Sequence, residues 1–569
     1  MTTKEVAAIL EEIAILLELA GENPFKARSY TSVARNLEQH GEDVETLVRE
    51  KRLREVKGVG DAIEEKITEL VENGRLEYYE DLKARFPDTL FELFRIPGLG
   101  AKRIKTLYDD LGIRSLGELE HACVEDRLSR LKGWGKKMQD KVREGIEFAK
   151  TQRGQHLYNT ALAEAEGLRD WLAESGLVTR LEVAGSLRRC KEVVKDIDIL
   201  ATGAEAEALM DRFVTWERVA RVTSHGGTKS SVVLESGMAA DLRVVKDKEF
   251  PYALHHFTGS KEHNVGIRQR AKDRGLKLNE YGLFHEADDS LVECEDEAGI
   301  FAALDLPYIP PELREDMGEL EAETLPELVT LDDLRGVIHC HSTYSDGKAS
   351  VEQMARAAQD LGYGYLVISD HSQSAGYAGG LKPDDVAKQH KEIDALNEKL
   401  EGFRVFKGIE SDIRVDGSLD YEDGVLETFD FVIASVHNKL DMTEDEATRR
   451  VVTAIENPRT AILAHPTGRL LLARQGYSLD FEKVFDACIA NNTAIEINAN
   501  CHRLDLDWRQ VKRARDKGLW FSIGPDAHNV EGLRDVAYGV NMARKGWLTR
   551  EPLINCLTAE ELHAWRRSS

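Results

Sequence analysis

The chain has 569 residues, 42% of them hydrophobic and 31% charged, with a formal net charge of −26. That length is too great for one ordinary domain and points to roughly three to five, and the composition is that of folded globular domains, not of a disordered tail. No apolar run approaches the roughly 20 residues that a membrane helix needs, and the seven cysteines contain no CxxC pair and set no disulfide framework, so a reducing cytoplasm is the expected setting.

The opening MTTKEVAAILEEIAILLELA mixes glutamates among apolar positions and predicts an amphipathic helix, not a signal peptide. Three short repeats follow: Val56-Lys57-Gly58-Val59-Gly60, Ile96-Pro97-Gly98-Leu99-Gly100 and Leu131-Lys132-Gly133-Trp134-Gly135. Each lies between helical stretches, as in a helix-hairpin-helix. The glycines permit a tight turn and bring backbone N–H groups close to a phosphate, and the next helix adds its positive N-terminal end. Such contacts hold DNA without reading its sequence. The acidic net charge opposes nucleic acid at long range, yet binding depends on local patches. Basic runs lie at 51–57, at 102–105 and at 261–277, the last containing Arg268, Arg270, Lys272 and Arg274. A basic run by itself is usually a solvated face.

Leu181-Glu182-Val183-Ala184-Gly185-Ser186 alternates like a strand that ends in a turn, and Arg188, Arg189 and Asp196-Ile197-Asp198-Ile199-Leu200 follow. Aspartates at i and i+2 of a strand share a face. A further predicted strand at 238–245 carries Asp241. Three carboxylates on adjoining strands can hold two Mg²⁺ ions for phosphoryl transfer. An isolated Asp-x-Asp is more often a surface acid, but here a Gly-Ser turn able to donate to a triphosphate precedes it.

The segments GSLRRCKEVVKDIDIL, AADLRVV, HHFTGSKEHNVGIRQRA and LKLNEYGLF resemble the family X DNA polymerases. The resemblance covers residues 1 to about 315. It implies that Asp196, Asp198 and Asp241 are the catalytic metal ligands and that Gly185, Ser186 and Arg189 hold the triphosphate. It implies also that Phe257 and Gly259 shape the sugar pocket, that Asn264 lies at the nucleotide edge and that Arg268 lies along the template. In the first domain it implies DNA contacts by Gly58, Gly60, Gly98 and Gly100 and a 5′-phosphate grip by Lys26 and Tyr30. Lys66 matches the family's Schiff-base lysine, although a plain phosphate contact is an equal alternative. Two departures stand out. His256 occupies a position where the family usually has a tyrosine or another aromatic ring, and Ala239 one where the polymerase beta group has an arginine.

The C-terminal block holds nine potential metal ligands: His339, His341, Asp346, His371, Glu410, His437, His465, Asp526 and His528. All are nitrogen or carboxylate donors, a set suited to clustered Zn²⁺, Mn²⁺ or Fe²⁺. Short apolar runs at 365–369, 432–435, 461–464 and 494–497 end near them, with helical stretches between, as βα repetition requires. VIHCHSTYSDG, SDH, GIESDI, SVHN, AHPTGR and GPDAHN resemble the PHP (polymerase and histidinol phosphatase) domain. That resemblance implies a distorted (β/α)₇ barrel with its metals at the strand ends. Val337 stands where the family commonly has an outer-shell aspartate, so weaker metal retention is expected, and Pro525 replaces a commoner Ser or Thr. Acid is dense over 280–323 and much of it is read as connecting surface, and the prolines within 304–331 predict a stiff connector. Its block at 308–315 resembles the connector of bacterial family X enzymes with a fused PHP domain.

The expected fold is therefore multidomain, α/β with α+β. It comprises a helical, lyase-like helix-hairpin-helix domain at 1–85, fingers at 86–150, a nucleotidyltransferase palm at 151–245, a thumb at 246–315, a linker at 316–335 and a PHP domain at 336–569. The expected function is gap-filling DNA synthesis in repair plus metal-dependent 3′–5′ exonuclease action. Expected cofactors are Mg²⁺ (or Mn²⁺) in the palm and a Mn²⁺ or Zn²⁺ cluster in the barrel. Expected partners are gapped or primer-template DNA and dNTPs, with the chain a cytoplasmic, nucleoid-associated monomer. Two rivals are a barrel acting mainly as a 3′-phosphatase or AP-endonuclease-like phosphoesterase, and a chain acting mainly as a DNA-end-binding scaffold.

Overall fold

The computed structural model describes the whole chain except residues 41, 125, 126, 132, 152, 153, 473, 474, 568 and 569, and leaves out the side chains at 88, 117, 120, 121, 124, 130, 147–151, 377 and 567. Two compact units make up the chain, Met1–Arg153 and Gly154–Ser569. Among the described residues no helix is long and apolar enough to cross a membrane.

The first unit is helical. The amphipathic opening forms the helix Thr3–Leu19, started by a Thr2–Glu5 capping box and burying Leu10, Ile13 and Leu17. The three repeats form turns between a short 3₁₀ segment and a helix: Leu53–Glu55 to Asp61–Asn73, Asp88–Arg95 to Ala101–Leu111, and Leu128–Arg130 to Lys136–Thr151. In each, the first glycine takes a positive φ: 95° at Gly58, 85° at Gly98 and 83° at Gly133. That is the backbone state glycine alone adopts without strain. Gly60 and Gly100 cap the helices that follow. Lys132 of the third repeat lies outside the described residues.

The second unit contains a five-stranded palm sheet in the order Arg180–Val183, Asp196–Thr202, Ala239–Val244, Lys229–Leu234, Val219–His225. The helices Phe250–Thr258 and Lys261–Lys272 lead from it to a three-stranded antiparallel thumb sheet, Leu276–Asn279, Gly282–His285 and Leu291–Val292. The C-terminal part is a seven-stranded all-parallel sheet whose strands follow chain order: Gly336–Cys340, Tyr365–Ile368, Arg404–Asp412, Phe431–Ser435, Thr460–Leu463, Ala494–Asn498 and Phe521–Gly524. A bridge between Cys340 and Ala527 draws the first strand to the end of the last, nearly closing a distorted (β/α)₇ barrel. Both faces of such strands are covered, which is why they read as unbroken apolar runs.

One buried cluster runs from the palm (Leu168, Ile197, Phe213, Leu242) into the barrel (Ile368, Ile409, Ile497, Ile523). The segment between them is not a free spacer. Leu306, Ile309, Leu313, Leu328 and Val329 are buried, Val329 N–H donates to Leu548 O at 3.0 Å and Arg335 N–H to Asn555 O at 2.7 Å. Most acids of the 280–323 stretch are exposed, as connecting surface would be, among them Glu286, Asp289, Glu295 and Glu323, but not all are. The side chains of Glu297, Glu315 and Glu319 are buried and paired with Arg188 and Arg314, with Arg189, Lys191 and Lys545, and with His263 respectively. A buried carboxylate persists only with such partners, so these three acids tie the fold internally.

Candidate active sites

In the palm, alternation sends Ile197 and Ile199 into the core and leaves Asp196 and Asp198 on the open face. The parallel register sets Asp241 directly opposite Asp198. Burial, then the charges of Asp196 and Asp241, pushes the Asp198 carboxyl up to about 6. Such a group favours a cation. The structure supplies two that the sequence reading missed: Lys229 Nζ lies 2.6 Å from Asp241 Oδ2, and Arg243 lowers Asp198 from the same strand as Asp241. Ala239, opposite Asp196 in the register, brings no cation of its own. Gly185 has φ +66°, and a Cβ there would meet Asp198 Oδ2 at 2.3 Å. The turn must be glycine for the Ser186 segment to pass beside the aspartate. The Gly-Ser segment opens the short helix Gly185–Arg188.

The expected nucleotide residues gather next to this face, though several already have internal partners. Arg188 grips Glu297 with two nitrogens, at 3.1 and 2.7 Å, and donates to Thr258 Oγ1 at 2.7 Å. Arg189 donates from Nη1 to Thr258 O and from Nε to Glu315 Oε1 at 3.2 Å. A Cβ on Gly259 would meet Arg189 Nη1 at 3.1 Å. The Phe257 ring lies 4.4 Å from the Arg243 guanidinium and 5.0 Å from the ring of His256. Asn264 Nδ2 donates to His256 O at 2.7 Å, and Arg268 Nε to Asn264 O at 2.9 Å.

In the barrel all nine donors converge at the C-terminal strand ends. Glu410 sits centrally: its Oε1 is 2.9 Å from His465 Nε2 and 3.1 Å from His437 Nε2, and its Oε2 is 2.9 Å from His371 Nδ1. Asp526 Oδ1 lies 3.1 Å from His341 Nε2, and Asp346 lies 3.3 Å from His528 and 3.6 Å from His371. Among the described residues four overlapping groups have donor atoms all within 4.8 Å: His341, Asp346, His371, His528; His339, Glu410, His465; His339, His341, Asp526; and His371, Glu410, His437. The residues fit divalent ions on an independent count. His339 Nε2, His341 Nδ1 and His465 Nδ1 are buried without a hydrogen-bond partner, a cost that coordination removes. Burial opposes the His437 imidazolium, but Glu410 and Asp412 outweigh it and lift the group to about 9. Burial likewise opposes the His371 imidazolium, but Glu410 and Asp346 lift it to about 10. His465, by contrast, is pushed down to about 3 by burial and by Arg503. Three of the ligands take a left-handed backbone, His339 at φ 71°, His465 at 26° and Asp526 at 53°. Such residues cost about 1–3 kcal/mol each and persist where the surroundings over-determine them.

His339 and His465 are held by a carboxylate from another strand. Val337 is a buried core residue, whereas Glu496 Oε1 lies 2.5 Å from His339 Nδ1 and Oε2 accepts from His465 N–H at 2.8 Å. Asp412 holds His437 Nδ1 at 2.8 Å. Arg503 Nε lies 3.5 Å from Asp526 Oδ2. These three were missed, yet Glu496 is a lone charge in an apolar strand, AIEIN, a detectable signal.

In the first unit Lys26 and Lys66 converge on one ring, their ammonium groups 5.5 and 4.7 Å from the Tyr78 centroid. Tyr30 is buried beside them, and Lys66 Nζ also donates to Ala62 O at 3.0 Å. Tyr78 was not expected.

Residues 1–76 match a helix-hairpin-helix domain, 90–147 a SAM-like helix-hairpin-helix tandem, 253–315 the DNA polymerase beta thumb and 338–500 the PHP domain. The chain is 38% identical over 569 residues to the DNA polymerase/3′-5′ exonuclease PolX of Bacillus subtilis (strain 168), covering 99% of each. A probable phosphatase of Thermoanaerobacter sp. (strain X514) is 30% identical over 241 residues, 38% of this chain and 88% of that one. A ternary P/T complex of Leishmania infantum polymerase beta aligns with 40% of this chain and 98% of its own at 23% identity and a TM-score of 0.27.

Proposed function

Belonging to the bacterial family X DNA polymerases with a C-terminal PHP domain, the chain is a DNA polymerase with 3′–5′ exonuclease activity, and we propose that the palm aspartates perform the synthesis and the barrel cluster the degradation. The observation that carries this division is geometric: the two acidic sites sit on separate sheets, each with its own donors and its own supporting residues.

In the palm, Asp196, Asp198 and Asp241 hold Mg²⁺ or Mn²⁺, which when bound offsets the charge of the triphosphate. Ser186, with Gly185, and Arg189 orient the triphosphate, and Phe257 and Gly259 bound the sugar. Asn264 meets the base edge and Arg268 the template. Asp241, tethered by Lys229, accepts the hydrogen bond of the primer 3′-hydroxyl as its oxygen attacks the α-phosphate and pyrophosphate leaves. Substrates are gapped or primer-template DNA and dNTPs.

In the barrel, the nine ligands hold Mn²⁺ or Zn²⁺, whose Lewis acidity polarises the phosphodiester and water when bound. Glu496 and Asp412 fix the rings of His339 and His437, since a ligating imidazole needs its second nitrogen held. Arg503 offers a guanidinium to the departing nucleotide. The first unit grips the 5′-phosphate of a gap through Lys26, Lys66 and Tyr30, with the glycine hairpins on the backbone; Lys66 acts either as a phosphate contact or as a lyase amine. The setting is a cytoplasmic monomer. A second reading, a 3′-phosphatase in the barrel, is favoured by the likeness to probable phosphatases.

A one-nucleotide gap with a labelled primer tests the whole reading. Mg²⁺ and dNTP should give a product one nucleotide longer, and Mn²⁺ without dNTP a ladder of shorter ones. A primer ending in 3′-phosphate separates the phosphatase: loss of phosphate without shortening favours the second reading.

A further inference from the structure

We infer that Lys545, on the barrel helix Val536–Lys545, is a positioning residue for the nucleotide site of the polymerase. The inference rests on the proposed role of Arg189 in holding the triphosphate. Lys545 is fully buried, and an ammonium has three donors. All three are used: Nζ donates to Arg189 O at 2.7 Å, to Glu315 Oε1 at 2.8 Å and to Glu312 O at 3.3 Å. One barrel side chain thus ties the palm loop to the connector.

The Glu315 carboxylate is shared among three cations, Lys545, Arg189 at 3.2 Å and Lys191 at 3.3 Å. Its single negative charge cannot bind all of them strongly. Arg189 is therefore parked on a carboxylate that Lys545 has partly neutralised, and it can pass to a triphosphate at low cost. With Lys545 gone, Glu315 would hold Arg189 harder, and the carbonyl of Arg189 would lose its buried donor. The helix that carries Lys545 is locked in place. Arg544 Nε pairs with Glu312 Oε1 at 2.7 Å, and the Tyr538 ring stacks edge-on against Tyr158 of the palm at 5.9 Å. The Lys191 and Lys545 ammonium groups lie 5.4 and 4.7 Å from the Trp508 ring. The barrel is in this sense a built part of the polymerase, not only a nuclease joined to it.

The test is steady-state filling of a one-nucleotide gap by the full chain, with Mn²⁺-dependent degradation as the internal control. Lys545→Met should raise KM for dNTP about tenfold, leaving kcat and degradation within about twofold. Adding Glu315→Gln to it should restore KM, because the unshared charge is gone. Glu315→Gln alone should lower KM, which keeps the inference testable should Lys545→Met not fold. A double variant no better than the single, or an unmoved KM in Glu315→Gln, overturns the inference. Parallel losses of kcat, degradation and melting temperature with KM unmoved also overturn it. A KM raised by Arg189→Gln but not by Lys545→Met overturns the role of Lys545 alone. A KM unmoved by Arg189→Gln overturns the reading of Arg189 and the inference with it.

Discussion

Glu496 Oε1 lies 2.5 Å from Nδ1 of His339, so the ring that opens the barrel's ligand set is oriented by a carboxylate from the sixth strand of the barrel. The same side chain accepts the backbone N–H of His465, 2.8 Å away. Two ligands with left-handed backbones are thus held by one buried acid.

Glu496→Gln should therefore weaken metal retention and degradation by about 10- to 100-fold, while gap filling in Mg²⁺ is unaffected. Titrating degradation against Mn²⁺ reads this as a higher metal requirement. An unchanged Mn²⁺ curve would show that His339 needs no such support.

Metal binding in the palm should weaken in acid. The Asp198 carboxyl, raised by burial and by its two neighbours to about 6, takes up a proton in the folded state before it would in the unfolded one. Its repulsion is thus relieved as pH falls through about 6 and fully felt above it. Mg²⁺ should raise the melting temperature more at pH 8 than at pH 5. Equal shifts at both values would contradict the coupling.

The barrel has the opposite sign. His437, raised to about 9, and His371, raised to about 10, stabilise the fold while protonated, and that stability is lost as pH rises through those values. Metal must displace these protons to bind. Protein treated with a chelator should lose thermal stability as pH rises through about 9, and Mn²⁺ should restore it. Calorimetry in buffers of different ionisation enthalpy should show protons released on Mn²⁺ binding.

The convergence of Lys26 and Lys66 on Tyr78 sets two cations on one ring in the first unit. Removing the 5′-phosphate from a gap should cost about tenfold in affinity, and Lys26→Ala should erase most of that difference. Borohydride trapping on a 5′-deoxyribose phosphate decides the chemistry of Lys66: an adduct lost in Lys66→Ala makes it a lyase amine, and no adduct leaves it a phosphate contact.

Much of this was legible in the sequence because period and spacing carry it. The Asp196–Asp198 pair follows from the two-residue repeat of a strand, and the barrel donors fall where apolar runs end. What was not legible depends on contacts between distant segments. Lys229 reaches Asp241 from the neighbouring strand, Glu496 reaches His339 across 157 positions, and Lys545 reaches Glu315 through a packed seam. Among the mostly exposed acids at 280–323, the burial of the Glu297, Glu315 and Glu319 side chains is set by partners elsewhere in the chain, which local charge density does not reveal.

Two separate sites, on the division proposed above, make and break the same bond. Following one labelled primer in a one-nucleotide gap with Asp198→Asn and Asp526→Asn distinguishes them. Asp198→Asn should abolish extension and leave Mn²⁺-dependent shortening intact, and Asp526→Asn should do the reverse, each loss about a thousandfold or more. If shortening disappears in Asp198→Asn and persists in Asp526→Asn, degradation belongs to the palm and the division between the sites is wrong.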